Sequence, residues 1–219
     1  MVPTFKNSAL LETALTHRSA LNEQISPSKE SNERLEFLGD AVLELAATEF
    51  LYGKFPQTPE GELTAYRSAL VKTTTLAEVA TQLGLGERLM MSRGEEASGG
   101  RQNSSLLADT FEAVVGALYL DQGYTVVSDF LRTQLFTQVD TILEKKLYRD
   151  PKSQLQETVQ ALGLEAPVYQ VASEVGPDHD KQFTVVVLID GKDSGTGVGR
   201  SKQLAQQEAA KKALERYNS

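Results

Sequence analysis

No cysteine and no tryptophan occur among the 219 residues, and histidine occurs twice. Without cysteine there is no disulfide, no thiolate nucleophile and no thiolate metal site, which agrees with a reducing compartment. His17 and His179 are not at the spacing of a paired imidazole ligand set. No stretch reaches the roughly 18 to 20 uninterrupted apolar residues that a membrane helix needs. The opening MVPTFKNSALLET has neither a basic start nor an apolar signal core, so a cytoplasmic protein with no membrane association is expected. Basic charge is also scarce: 22 Lys+Arg stand against 30 Asp+Glu, for a formal net charge of −8. Taken alone, that balance argues against a polyanionic partner. The glycine-rich segment 84–104 follows no strand pattern and lacks a Gly-Lys-Ser/Thr ending, so no nucleotide or other small-molecule cofactor is expected.

What the chain does have is a 40% hydrophobic content, enough for real cores, and acids placed inside apolar helical patterns. In NERLEFLGDAVLELA, residues 32–46, Ser31 and Asn32 are good N-cap residues and only Gly39 interrupts a helix running through Phe50. Glu33, Glu36, Asp40 and Glu44 are spaced by three, four and four residues and form one stripe. Leu35, Phe37, Leu38, Ala41, Val42, Leu43 and Leu45 fill most of the remaining circumference, so the stripe is not simply a solvent face. In SSLLADTFEAVVGALYL, residues 104–120, Asp109 and Glu112 are the only charges and lie one turn apart. Two such helices should pack together, and their desolvated carboxylates would raise one another's pKa unless a cation were present. Oxygen-only ligands point to a hard ion, Mg²⁺ or Mn²⁺.

These residues carry a resemblance. NERLEFLGDAVL resembles the signature of bacterial ribonuclease III, and GEEASGGRQNSSLLADTFEAVVGALYLDQGY, residues 94–124, resembles that family's second conserved segment. The resemblance implies Mg²⁺-dependent hydrolysis of double-stranded RNA, with Glu36, Asp40, Asp109 and Glu112 as metal ligands, Asp40 and Glu112 foremost in catalysis, and Glu33 and Glu60 as secondary acids. It further implies 5′-phosphate and 3′-hydroxyl ends with 3′ overhangs, a homodimer, and a role in processing rRNA, mRNA and other structured RNA. His17 receives no catalytic role from it. The loop 84–104 is placed beside the catalytic helices, with Arg93 and Arg101 available to phosphates.

Around these segments, Ser8–Leu15 reads as a short helix, Glu62–Leu83 as one or two, and Val126–Lys146 as the last of an all-α domain spanning residues 1–147. LYRDPK, residues 147–152, is a linker, and the pattern from 151 to 219 changes to helix, three strands, helix. This part resembles a double-stranded-RNA-binding domain, a small α-β-β-β-α fold that reads A-form shape across successive minor grooves. Gln154, Glu157, His179 and Lys202 match that family's RNA contacts, whereas Lys211 and Lys212 read as a solvated face. One departure stands out: Gln203 and Gln206 occupy positions that are often basic, so modest affinity and a shallow salt dependence are expected. The acid excess lies in the first domain, with 13 Lys+Arg against 20 Asp+Glu in residues 1–148 and 9 against 10 in 149–219. Bound divalent ions would offset it at the site. A catalytically silent double-stranded-RNA-binding protein of the same fold is the alternative, and an acidic helical protein with a structural metal is a third reading.

Overall fold

The computed structural model describes residues 2–23, 25–177 and 181–217, in two compact units that divide between Tyr148 and Arg149. In the first unit α1 (Ser8–Ala14) and α2 (Arg18–Asn22) lead to α3 (Glu33–Lys54), α4 (Glu60–Leu70) and α5 (Thr73–Gln82). The short helices α6 (Leu85–Arg88) and α7 (Arg93–Ala97) and a 3₁₀ turn at Gly100–Gln102 precede α8 (Ser104–Gln122), α9 (Tyr124–Gln134) and α10 (Gln138–Glu144). Among the described residues no helix is long and apolar enough to cross a membrane.

Helix α8 is the centre of this unit. Its run from Ala113 to Leu118 is fully buried, with Phe111 at its heart, because apolar residues occupy its whole circumference apart from Asp109 and Glu112. Helix α3 lies directly on it. A Cβ at Gly39 would collide with the Glu112 carbonyl oxygen, and one at Gly116 with that of Leu35, so the two backbones touch where both residues lack a side chain. The glycine that looks like a weak point in the α3 sequence is therefore its closest contact.

Three expectations are corrected here. Asn32 occupies the N-cap position of α3, yet in helical conformation (φ −73°, ψ −11°) and without a side-chain capping bond. Its main chain secures the helix start instead, its N–H donating to Thr16 O and its carbonyl accepting from Glu36 N–H, both at 2.8 Å. Residues 84–104 are not an open loop but the chain of short helices just named. Arg101 organises them, its Nη1 donating to the carbonyls of Gly86 (2.7 Å) and Leu89 (2.9 Å) and its Nε to Glu96 (2.6 Å). A guanidinium so committed is not available to phosphates, while Arg93 stays exposed. Finally, Val126–Lys146 is two helices. Leu135 and Phe136 turn inward between them, and Phe136 stacks on Phe50 of α3 with ring centroids 4.5 Å apart. That packing outweighs helical propensity in a segment with no glycine or proline to mark the break.

The second unit begins with α11 (Pro151–Ala161), capped by Asp150, whose carboxylate accepts from Ser153 N–H at 3.0 Å, with proline in the first turn, where its missing N–H costs nothing. Strands β1 (Val168–Val175), β2 (Gln182–Ile189) and β3 (Lys192–Gly199) form an antiparallel sheet in that order, and α12 (Lys202–Tyr217) closes the fold. Asp190 and Gly191 both have positive φ (49° and 71°), which the tight β2–β3 hairpin requires. Buried Leu155, Val159, Val185, Val187, Ile189 and the alanines of α12 make the core. Gly195 and Gly197 let β3 lie against Ala205 and Ala209 at backbone distance.

Gly39→Ala is expected to destabilise the protein by more than about 2 kcal/mol, since a backbone atom, not a flexible side chain, meets the new methyl. Gly53→Ala, in the same helix with open space around its Cβ, is expected to be neutral or to stabilise by up to about 1 kcal/mol. Chemical denaturation of both variants beside the parent chain measures the contrast, and equal effects would contradict the close crossing.

Candidate active site

The crossing of α3 and α8 brings three carboxylates together from two helices. Glu36, Asp109 and Glu112 each offer an oxygen within 4.8 Å of the others, and all three are half-buried. An octahedral Mg²⁺ with ligands at about 2.1 Å separates its oxygens by up to roughly 4.2 Å, so the group needs only a slight closure to hold one. Asp40 and Glu33 are exposed on the same stripe and stand outside the three-oxygen group. Glu44, one turn beyond Asp40, is drawn away to Arg67 of α4, whose Nε lies 2.9 Å from it.

The electrostatics of an ion-free cluster follow. Burial, then the charges of Asp40, Asp109, Glu36 and Glu44, push the Glu112 carboxyl up to about 8. Burial also raises Glu36, with Asp109 next in importance, and raises Asp109 against a lowering contribution from His17. These carboxylates repel one another across a desolvated space, and a divalent cation relieves that repulsion.

Beside the cluster is a cleft of about 260 Å³, lined by His17, Arg18, Asn32 and Glu33 as well as Glu36 and Asp109. His17 precedes α2 and caps it: Nδ1 accepts from Ser19 N–H at 3.3 Å and lies 2.8 Å from the Ser19 hydroxyl. This structural role is the one expected of it, but the ring also borders the acids. The sequence gives no sign that Asn32 does the same, because an Asn before a helix reads as a cap. Glu60 is not brought to the cluster. It accepts from Thr64 at 3.0 Å and lines a separate cavity of about 410 Å³ with Tyr52, Thr48 and Arg67.

In the second unit Gln154 is half-buried and Glu157 exposed, one turn apart on α11. His179 lies outside the described residues. Lys202, at the first turn of α12, is paired with Glu174 of β1 at 2.8 Å and stands 5.5 Å from the Phe183 ring centroid. Gln203 is exposed, whereas the Gln206 side-chain oxygen accepts from Lys152 at 2.8 Å. Gln206 is thus committed within the unit, and a lysine there would face another ammonium.

Residues 7–139 match the family described as Ribonuclease-III-like, and residues 151–217 the Double-stranded RNA binding motif. The chain belongs to the ribonuclease III family. Ribonuclease 3 of Geobacillus thermodenitrificans is 48% identical over 212 residues, covering 97% of this chain and 86% of that protein. Ribonuclease 3 of Streptococcus sanguinis is 47% identical over 215 residues, covering 98% and 92%. Among solved structures, the nuclease domain of ribonuclease III from Campylobacter jejuni is similar with a TM-score of 0.56 at 41% identity, covering 60% of this chain and 88% of that one. That structure is described as showing flexibility in a region involved in dimer formation. A ribonuclease III endonuclease domain followed by a double-stranded-RNA-binding domain makes this chain a double-stranded-RNA endoribonuclease of the metal-dependent kind.

The raised carboxyl of Glu112 sets a pH dependence. Between the ordinary value of 4.5 and about 8 the ion-free folded chain binds a proton that the unfolded chain has released, so stability falls as pH rises through that window. Glu112→Gln, which cannot ionise, is expected to flatten the fall and to raise the ion-free melting temperature by a few degrees at pH 8.5 but hardly at pH 5. Mg²⁺ is expected to stabilise the parent chain more at the higher pH and the variant far less. Parallel melting curves for the two proteins across pH would contradict the coupling of these acids.

Proposed function

We propose that this ribonuclease III uses Mg²⁺, with Mn²⁺ able to substitute, to hydrolyse both strands of duplex RNA, leaving 5′-phosphate and 3′-hydroxyl ends with 3′ overhangs. The observation that carries the reading is the half-buried group Glu36, Asp109 and Glu112, oxygens only and mutually destabilised without a cation. In this reading Asp40 completes the ligand set, Glu33 acts in support, Glu60 drops out because it lines a separate cavity, and Gln154, Glu157, His179 and Lys202 hold RNA. The catalytic part spans residues 1–147 and the RNA-binding part 151–219.

A hard divalent cation supplies Lewis acidity toward a phosphoryl oxygen and acidifies a bound water. The chain's own residues do the rest. Glu36 and Glu112 start from helices held at a fixed separation by the Gly39–Gly116 contact, so their carboxylates converge on one space. Asp40, exposed and close enough to raise the pKa of Glu112, adds its negative charge to the ligand set and so favours the cation. Water oxygen bonds to phosphorus as the bond to the 3′-oxygen breaks; solvent takes up the proton of the attacking water and solvent supplies one to the leaving 3′-oxygen.

One surface supports a homodimer with one site per subunit. On α3, Phe37 is 83% exposed and Leu45 58%, and a groove of about 660 Å³ beside Phe37 is lined by Leu10, Leu35, Leu38 and Leu120. An apolar face of that kind belongs against a partner, and a monomeric mass in sedimentation at micromolar concentration would remove this part of the reading. Processing of rRNA, mRNA and other structured RNA in the cytoplasm is the role that fits the activity.

Cleavage of a long RNA duplex with and without chelator tests the proposal. Activity is expected only with Mg²⁺ or Mn²⁺, and Glu112→Gln is expected to lose more than about 100-fold in rate, beyond what removal of a residue merely supporting a ligand costs. Duplex binding by the variant is expected to stay within a few-fold. Chelator-resistant cutting, or normal turnover by the variant in saturating Mg²⁺, would overturn it.

A further inference from the structure

The cleft beside the metal-binding acids contains one side chain that no structural role explains. Asn32 is 4% exposed, fills the N-cap position without capping, and its carboxamide makes no hydrogen bond among the described residues. It lines the cleft with Glu36 and Asp109. The residue is buried as a whole but its carboxamide is not sealed from solvent, and with no protein partner its polar edge is free to meet a ligand entering the cleft. With no protein partner to fix which way it is turned, it can present its NH₂ donors there.

His17 borders the same space from a different part of the chain. The Ser19 backbone N–H can only donate, so Nδ1 must be an acceptor and the ring proton of the neutral imidazole sits on Nε2. Ser19 Oγ accepts from Ser92 N–H at 2.9 Å, which leaves its own proton for Nδ1 and locks the same tautomer. Nε2–H has no partner among the described residues, and the ring lines the cleft. The third donor there, Arg18, is exposed and lies 3.6 Å from Glu33. The cleft therefore sets two donors without protein partners, Asn32 and His17, among the acids Glu36 and Asp109, with Asn32 one turn before Glu36 on the same face of α3.

Accordingly, we propose that Asn32 and His17 are substrate-binding residues, donating to a non-bridging phosphate oxygen of the RNA strand held at the metal cluster. A polyanion approaching carboxylates needs donors that do not depend on the cation, and donors already held at the cleft provide them with little reorganisation. The inference rests on the proposed cleavage of duplex RNA.

The test uses the full-length chain and two variants. His17→Asn keeps an oxygen to cap Ser19 N–H but has no second ring edge to reach the cleft. Asn32→Leu keeps the bulk and removes the amide. Both are measured for melting temperature, for the Mg²⁺ midpoint of cleavage, and for kcat and KM on a long RNA duplex. Each is expected to lose roughly 10–100-fold in kcat at saturating RNA and Mg²⁺, with melting temperature and Mg²⁺ midpoint close to the parent values. Parent-like kcat in both variants would overturn the proposal. So would a loss that moves together with the Mg²⁺ midpoint or the melting temperature, because these residues would then only prop up the ligands. Should Asn32→Leu not fold, His17→Asn decides alone. Failure of the parent chain to cut any duplex would strike the functional reading itself, a result distinct from parent cleavage with unaffected variants.

Discussion

Backbone contact between α3 and α8 is the constraint on which the nuclease unit depends. Helices separated by ordinary side chains would hold Glu36 and Glu112 further apart; with Gly39 against the Glu112 carbonyl and Gly116 against that of Leu35, the carboxylates are drawn into one group. The same contact desolvates them, which is why the Glu112 carboxyl rises to about 8. Hydrophobic burial of Phe111 and the Val114–Leu118 run holds the helices together against that repulsion. The site is thus strained electrostatically when empty of charge compensation and relaxed by a cation, a condition the sequence composition alone, at −8, does not reveal.

Much of this was legible beforehand, and for a clear reason. Acids at helical spacing inside apolar runs violate the rule that charged residues stay out of cores, and violations of that kind concentrate at functional sites. Two helices, their packing, and the acids between them could therefore be read from Glu36, Asp109 and Glu112. The family and the fold were legible from longer matches of the same segments. What could not be read depended on tertiary contact. Phe136 breaks a helix by stacking on Phe50, which is distant in sequence. Arg101 turns a glycine-rich stretch into ordered short helices by collecting carbonyls from residues 86 to 89. Asn32 has the residue type of a cap but not its bonds.

The RNA-binding unit shows a similar economy of charge. Two of its cations are held by neighbours: Lys202 by Glu174 and Phe183, Lys152 by Gln206 and the Tyr169 ring. In a unit with 9 basic and 10 acidic residues, these two lysines are fixed by pairing within the unit. Gln206 is part of that arrangement, so its neutrality is complementary to Lys152.

Helix α3 has one more consequence. Glu36 and Phe37 are consecutive residues, as are Asp40 and Ala41, and they project about 100° apart around one axis. The carboxylate edge and the exposed apolar edge are therefore two sides of a single rod of 22 residues, about 33 Å long. No hinge separates them, so a tilt or roll imposed on the apolar edge reaches the carboxylates undamped. A load on Phe37 is therefore also a load on the backbone that carries Glu36.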